Sequence, residues 1–531
     1  MRPRSGTGLL LAFLGLATPS GLAAQPATLD APAQQVVRPT LLVFIAVDQM
    51  RADYLDRWKD QLTGGLKRLL EGGALFTNAH HDHAITETAP GHATMMSGRF
   101  PRSTGITRNL AGVNDNTPLV AGGGAGASPA RFRGTTLTDW LTTADPRTRT
   151  LSVSYKDRGA ILPVGRSKQE VYWYSTPGLF TTSHWYRESL PDWVSAYNVG
   201  LPTRYSGWVW NLLLPASAYP EPDSVLIENR GEAFTFPHLI SANPEEAAMQ
   251  IASSPLIDEA TAGLALAGLE SMALGSGPQA DILAVSCSAT DLVGHRWGPD
   301  SRELHDNVLR LDRTIGVFLD SIFKLRGAGR VIVALTADHG VTPFPEVSQG
   351  RYDPAPLRVE LRPAVAVARA VLVAGGVDPL AAELESGSLV IDRVVGMTSE
   401  LIDASADSFV AVAQRTPGVA RAERFETLAK HDPGTDVVAR RWLHMYPADV
   451  PAEAIGVLRP GNYRVENTTA VHGSVHDDDT HVPILFYGPP FKPGRYGAFA
   501  RTVDIAPTLA QVLGVNAAEP LDGVPLTAAI R

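Results

Sequence analysis

The chain has 531 residues, 44% of them hydrophobic, enough to bury a large core as one α/β domain with insertions or as two to three domains. Lys and Arg number 46 against 55 Asp and Glu, a formal net charge of −9, and no basic run stands out. That balance argues against a nucleic-acid scaffold and against a protein held on an anionic membrane.

In chain order, residues 1–24 read as a secretory signal. Arg2 and Arg4 make a basic start, "GLLLAFLGLA" (8–17) is the apolar stretch, and small residues near Ala24 suit cleavage. The apolar run is too short to span a bilayer comfortably, so the expected location is periplasmic or secreted, with no membrane anchor. Beyond it, "TLLVFIAV" (40–47) has the β-branched density of a buried strand, and "GGLKRLLEGG" (64–73) is helical in pattern. "AGGGAGASPA" (121–130) reads as a mobile loop. Residues 160–255 hold Trp173, Trp185, Trp193, Trp208 and Trp210, with weak periodicity, and read as an inserted cap.

Further strands are expected at "ADILAVSCSA" (280–289), "RVIVALTA" (330–337) and "VPILFYG" (482–488), with a long helix over 307–325. Residues 355–430 mix short β-like and helical pieces and read as a second insertion. Within it, "AVAVARAVLVAGGV" (364–377) is interrupted by Arg369 and ends in glycines, so it is no membrane span. Strands alternating with helices predict an α/β fold with a mostly parallel central sheet covered on both faces. Cys287 is the sole cysteine, so no intrachain disulfide forms; it reads as a small core residue.

The chemistry sits where the strands end. "TLLVFIAV" runs into Asp48, "ADILAVSCSAT" into Asp291 with His295 four residues on, and "RVIVALTA" into Asp338-His339-Gly340. Ligands of open α/β sheets bind outside the carboxyl ends of the strands. One Asp there is ordinary turn capping, but three, two of them with histidines close by, make a metal-site pattern. Asp291 and His295 share a face if "DLVGH" is helical, and Gly340 suits the turn that would let Asp338 and His339 both ligate. Oxygen and nitrogen ligands of this mix fit Zn²⁺ best, ahead of Mn²⁺ or Mg²⁺.

Two cations give meaning to "TETAPGHAT" (86–94). A threonine hydroxyl is a feeble nucleophile at neutral pH, but beside zinc it loses its proton far more easily. Thr88, with Pro90 in the first turn, can begin a helix whose N-terminus receives an anion. The expected substrate is a phosphoryl or related oxyanion ester. Of the other histidines, His80, His81 and His83 look like a metal cluster, and His92 reads as packing beside the nucleophile or as support behind a ligand.

The pieces "FIAVDQMRADYL", "LFTNAHHDHAITETAPGHATMMSGRFP", "GITRN", "SVSYKDRGAILPVG", "SATDLVGHRWGP", "LTADHGVTP", "HGSVHDDDTHVPILFYGP" and "VDIAPTLAQVLG" resemble the alkaline phosphatase superfamily. They are most similar to the phosphate-irrepressible bacterial alkaline phosphatases that use threonine. The resemblance implies a catalytic domain over 40–531, with Thr88 as the nucleophile of a phospho-threonine intermediate. It implies one zinc held by Asp48, Asp338 and His339 and touching Thr88, and a second held by Asp291, His295 and a later histidine. It gives His80, His81 and His83 no matching role. His472, followed by Gly-Ser, is chosen for that last ligand over His476 and His481; the acidic "DDD" (477–479) reads as a loop that orients the histidine or faces water.

Asn109 in "ITRN" and Lys156 and Arg158 in "YKDR" match the family's phosphate-contacting positions. A monoester offers three non-bridging oxygens and nearly two charges, which such donors satisfy, whereas a diester presents one of them alkylated. At i, i+2 on extended chain, Lys156 and Arg158 would share a face. The implied enzyme is a two-zinc phosphomonoesterase inhibited by its product, inorganic phosphate; the alternative is a nucleotide pyrophosphatase/phosphodiesterase on the same scaffold.

Overall fold

A computed structural model describes residues 38–348, 350–465 and 471–531. The signal segment 1–24 lies outside the described residues. In chain order the strands used below are β1 (Leu41–Val47), β2 (Ala74–Phe76), β3 (Thr150–Ser154), β4 (Glu170–Ser175), β5 (Leu179–Thr181), β6 (Asp281–Cys287) and β7 (Val331–Thr336). They continue with β8 (Ala382–Glu385), β9 (Ser388–Ile391), β10 (Val419–Arg424), β11 (Ala452–Leu458), β12 (Ile484–Tyr487) and β13 (Gly494–Tyr496). The helices include α1 (Gly65–Gly72), α2 (Thr88–Met95), α3 (Asp157–Ile161), α4 (Leu256–Ser271), α5 (Ala289–Trp297), α6 (Arg302–Arg326), α7 (Arg362–Ala374) and α8 (Ser399–Ala413).

The main sheet runs β13-β2-β12-β7-β1-β6-β3-β4-β5. From β7 to β4 every neighbouring pair is parallel. Because side chains alternate across a strand, Leu41, Val43, Ile45 and Val47 enter one hydrophobic core while Leu42, Phe44 and Ala46 enter the other. Burial on both faces is why β1 reads as a continuous apolar run instead of alternating. Helix α6 covers the first core with Leu304, Val308, Leu311, Ile315, Phe318 and Ile322. It begins earlier than its apolar pattern suggests because the Ser301 hydroxyl accepts the Leu304 N–H at 3.1 Å.

Strand β12, expected to be parallel, is antiparallel to β7, with Ile484 opposite Thr336. Its beginning therefore lies at the sheet edge where the parallel strands end, and the segment before it, 471–481, is delivered there. The 160–255 stretch also differs from a pure insertion, since β4 and β5 extend the main sheet by parallel and then antiparallel pairing. The 121–130 loop is tied down: Gly126–Ala127 pairs with Asn114–Asp115, and Gly123 N–H donates to Thr176 O at 2.8 Å. Residues 355–430 form most of a small layered unit. Its sheet, β8-β9-β11-β10, is completed by 452–458, and α7 and α8 bury Val365, Leu372, Ile402 and Phe409 with Leu389 and Ile391.

Candidate active site

Each parallel strand hands one polar group to the same edge. β1 ends at Asp48, β6 leads into α5 with Asp291 and His295, and β7 leads to Asp338 and His339 outside any helix. The helical register puts Asp291 and His295 on one face, with His295 Nε2 3.2 Å from Asp291 Oδ1. Thr88 is the first residue of α2, which packs its backbone directly on the end of β7. A Cβ on Gly91 would stand 2.1 Å from the Asp338 carbonyl oxygen, so only glycine lets the helix come this close. His472 enters from the segment before β12, its ring stacked on His339 at 3.6 Å between centroids.

Two groups of converging ligand atoms result: Asp291, His295 and His472; and Asp48, Asp291 and His339. Asp291 belongs to both. Asp338, expected in the set with Asp48 and His339, stands just beyond it. Its Oδ2 lies 3.6 Å from His339 Nε2 and 3.1 Å from His92 Nδ1, and its Oδ1 accepts the Gln49 N–H. His476 and His481 turn elsewhere, bonding the carbonyls of Leu458 and Thr77 at 2.7 and 3.0 Å. The acidic run 477–479 does not orient His472: Asp478 bonds Arg51 and Tyr352, and Asp479 accepts the Ser474 N–H and the Thr342 hydroxyl.

The donor set fits zinc. Both Asp48 oxygens and Asp338 Oδ2 are buried without a hydrogen-bond partner. His339 and His472 each commit Nδ1 to a carbonyl, Gly340 O at 2.9 Å and Thr86 O at 2.7 Å, which leaves Nε2 lone pairs aimed at the carboxylates. Burial, and for His472 also the neighbouring His339 and His295, push both imidazole pKa values down, so the rings are neutral and able to ligate. Burial and repulsion from Asp291 and Asp338 push the Asp48 carboxyl well up. Burial opposes the charge on Asp291 too, but His295, Lys156 and His472 outweigh it and hold that carboxyl well down. Three buried carboxylates thus face one ammonium, a deficit of positive charge that dications would fill.

That ammonium is Lys156. Its Nζ lies 2.6 Å from Asp48 Oδ2, 2.5 Å from Asp291 Oδ2 and 3.3 Å from Thr88 Oγ1. The contact to Asp48 is an ion pair whose angles are not those of a hydrogen bond. Burial works against the charge, yet Asp291 and Asp48 hold the Lys156 pKa above its usual value. Lys156 and Arg158 do not share an extended face: the chain turns into α3 after Lys156, so Lys156 is buried and Arg158 stands half-buried at the rim. Asn109 accepts the Ala89 N–H at 2.8 Å through Oδ1, which leaves its amide N–H groups to point outward.

Thr88, Asn109, Lys156, Arg158, Asp291, His295 and His472 line one open cleft of about 620 Å³, with Tyr155, Trp173 and Tyr174 along another part of its wall. Sequence reasoning missed two neighbours. Glu87 accepts the Asn109 N–H and the Ser386 hydroxyl, joining the small unit's β8–β9 turn to the base of α2. Gln49 donates to Asp291 and Asp338, and its only signal is its place directly after a strand-end Asp.

A family model described as type I phosphodiesterase / nucleotide pyrophosphatase matches residues 42–358. Alkaline phosphatase PafA of Elizabethkingia meningoseptica is 30% identical over 546 residues, covering 98% of each chain. Alkaline phosphatase PhoV of Synechococcus elongatus is 30% identical over 523 residues, covering 91% of each. The crystal structure of wild-type PafA superposes with a TM-score of 0.85 at 28% identity, over 93% of this chain and 99% of that one. With a fold, a strand-end cluster and a match of this extent, the chain belongs to the type I phosphodiesterase / nucleotide pyrophosphatase family of the alkaline phosphatase superfamily, on the branch of the bacterial alkaline phosphatases.

Proposed function

We propose that the protein is an exported two-zinc phosphomonoesterase of broad specificity that works through a phospho-threonine at Thr88. The observation that carries this reading is the meeting of Thr88 Oγ1 with Lys156 Nζ at 3.3 Å and His339 Nε2 at 3.5 Å, beside three buried carboxylates. Asp291, His295 and His472 would hold one zinc, and Asp48, Asp338 and His339, with Asp291 close by, the other. Zinc bound there supplies a lowered pKa for the Thr88 hydroxyl and charge stabilisation for the departing oxygen.

The residues of the chain do the rest. Thr88 gives its hydroxyl proton to solvent and its Oγ1 bonds to phosphorus in line with the ester oxygen, the P–O bond to the alcohol breaks, and its electron pair leaves with the alcohol oxygen, which takes a proton from solvent. Water then attacks the phospho-threonine and frees inorganic phosphate and Thr88. Lys156 offsets negative charge on Thr88 Oγ1 and on the phosphoryl group. Arg158 and the free amide N–H groups of Asn109 bind the non-bridging oxygens, as a forked cation and a neutral donor. Those oxygens are all charged or shared only in a monoester, and inorganic phosphate satisfies the same donors and so inhibits as product.

The open cleft, about 620 Å³, fits leaving groups of varied shape. The family description keeps a second reading in view, a diesterase or nucleotide pyrophosphatase. Turnover of p-nitrophenyl phosphate against its bis ester separates the two, and a strong preference for the diester refutes the monoesterase reading. With labelled monoester, the wild type is expected to trap phosphate on Thr88, and Thr88→Ala is expected to trap none and to lose at least about 10³-fold in kcat/KM. Release of phosphate unaffected by that change would remove the nucleophile assignment.

A further inference from the structure

Gln49 follows Asp48 directly at the end of β1 and is fully buried. Its φ of 66° lies in the left-handed region, where a residue with a long side chain is strained. Its backbone N–H donates to Asp338 Oδ1 at 3.0 Å, and its side-chain Nε2 donates to Asp291 Oδ1 at 2.8 Å. One residue therefore grips carboxylates delivered by two different strands, β6 and β7. The amide oxygen, Oε1, is buried with no hydrogen-bond partner. Room for it comes from Gly294 inside α5, where a Cβ would stand 1.9 Å from Oε1. A strained backbone, an unsatisfied amide oxygen and a mid-helix glycine are three separate costs, all borne at the place where one amide reaches Asp291.

The geometry points to Gln49 as a positioning residue that fixes the Asp291 carboxylate for the cations, an inference that rests on the two-zinc reading. Asp291 is the carboxylate common to both converging groups, and its Oδ1 also faces His295 at 3.2 Å and His472 at 3.8 Å. An amide donor on Oδ1 sets the plane of the carboxylate, as hydrogen-bonding partners behind metal ligands generally do. The two grips are separable. The backbone N–H on Asp338 survives a change of side chain, whereas the amide on Asp291 does not.

The test is zinc binding by competition with a chromophoric chelator, on wild type, Gln49→Met and Gln49→Asn. Met keeps the side-chain length without a donor. Asn tolerates the left-handed backbone more readily and keeps an amide, but is one methylene too short to reach Asp291. The expected result is two zinc ions on wild type and, in both variants, zinc binding weakened by about 10- to 100-fold, with excess zinc restoring monoester turnover. Both variants holding two ions at wild-type affinity, or losing turnover that excess zinc does not restore, overturns the inference while the two-zinc reading stands. A wild type that binds fewer than two overturns that reading and this inference with it.

Discussion

Two neighbouring parts of the molecule are rich in histidine and aspartate, with His81 bonded to the carbonyl of Ala337 just before Asp338, and they fold to different outcomes. Around residues 80–83, Asp82 is held by Arg440 at 3.0 Å and Arg441 at 3.8 Å. His80 bonds Thr480 and Asn78, His81 bonds the Ala337 carbonyl and the Thr502 hydroxyl, and His83 is buried with neither nitrogen partnered. The charges there are already paired and the ring nitrogens diverge. At the strand ends around Thr88, three buried carboxylates have Lys156 as their close ammonium, and imidazole Nε2 atoms converge on them. A metal centre is thus marked by unpaired, convergent ligand atoms and not by the number of His and Asp residues in a stretch.

That contrast can be broken or sharpened by mutation. The largest effect is expected from Asp291→Ala, which removes the carboxylate common to both groups. Zinc content should fall, and monoester kcat/KM should drop by about 10³-fold or more; metal analysis with steady-state kinetics checks both. Asp82→Ala is expected to do the reverse. It takes the carboxylate from Arg440 and the buried Arg441, leaving Arg441 with the exposed Asp477 and the Val475 carbonyl, and should cost about 1–3 kcal/mol of stability in denaturant unfolding, with zinc content unchanged. Loss of zinc in that variant would erase the distinction between the two regions.

Arg158→Ala is expected to lower kcat/KM by roughly 10²-fold on p-nitrophenyl phosphate and much less on the bis ester. Equal losses on both would count against a role in reading the monoester's charge. The smallest effect concerns Asp258, which lies under α5 and accepts the Ala289 N–H at 3.0 Å. Burial pushes its carboxyl from the ordinary 3.8 up to about 7. Between those values the folded chain keeps a proton that the unfolded chain has lost, so stability falls as pH rises from about 4 through 7. Asp258→Asn should remove that loss, stabilising the fold at pH 8 and not at pH 4, measured by unfolding at both.

Much of the fold could be read along the chain. β1, β6 and β7 were legible because strands buried on both faces leave continuous apolar runs; the shared face of Asp291 and His295 was legible only on the condition that "DLVGH" is helical, which α5 meets. β12 was legible as a strand but not in direction, since periodicity carries no sign. β4 and β5 were hidden in the Trp-rich stretch because their aromatic and polar side chains leave no continuous aliphatic run, although β4 lies inside the sheet and only β5 at its edge. The sharing of Asp291, the step of Asp338 away from the second group and the grip of Gln49 depend on contacts between residues hundreds of positions apart.

By itself, then, the sequence determined which residues close the parallel strands, where Thr88 opens its helix, and that oxygen and nitrogen ligands far outnumber the one cysteine. Local periodicity and turn chemistry suffice for that, because they act over a few neighbouring residues. Only the tertiary structure decided which carboxylates stay unpaired, which imidazole nitrogens face inward and from which side His472 arrives. Those follow from strand order, strand direction and the close approach of a backbone at Gly91 and of the Gln49 side chain at Gly294, which packing of distant segments sets.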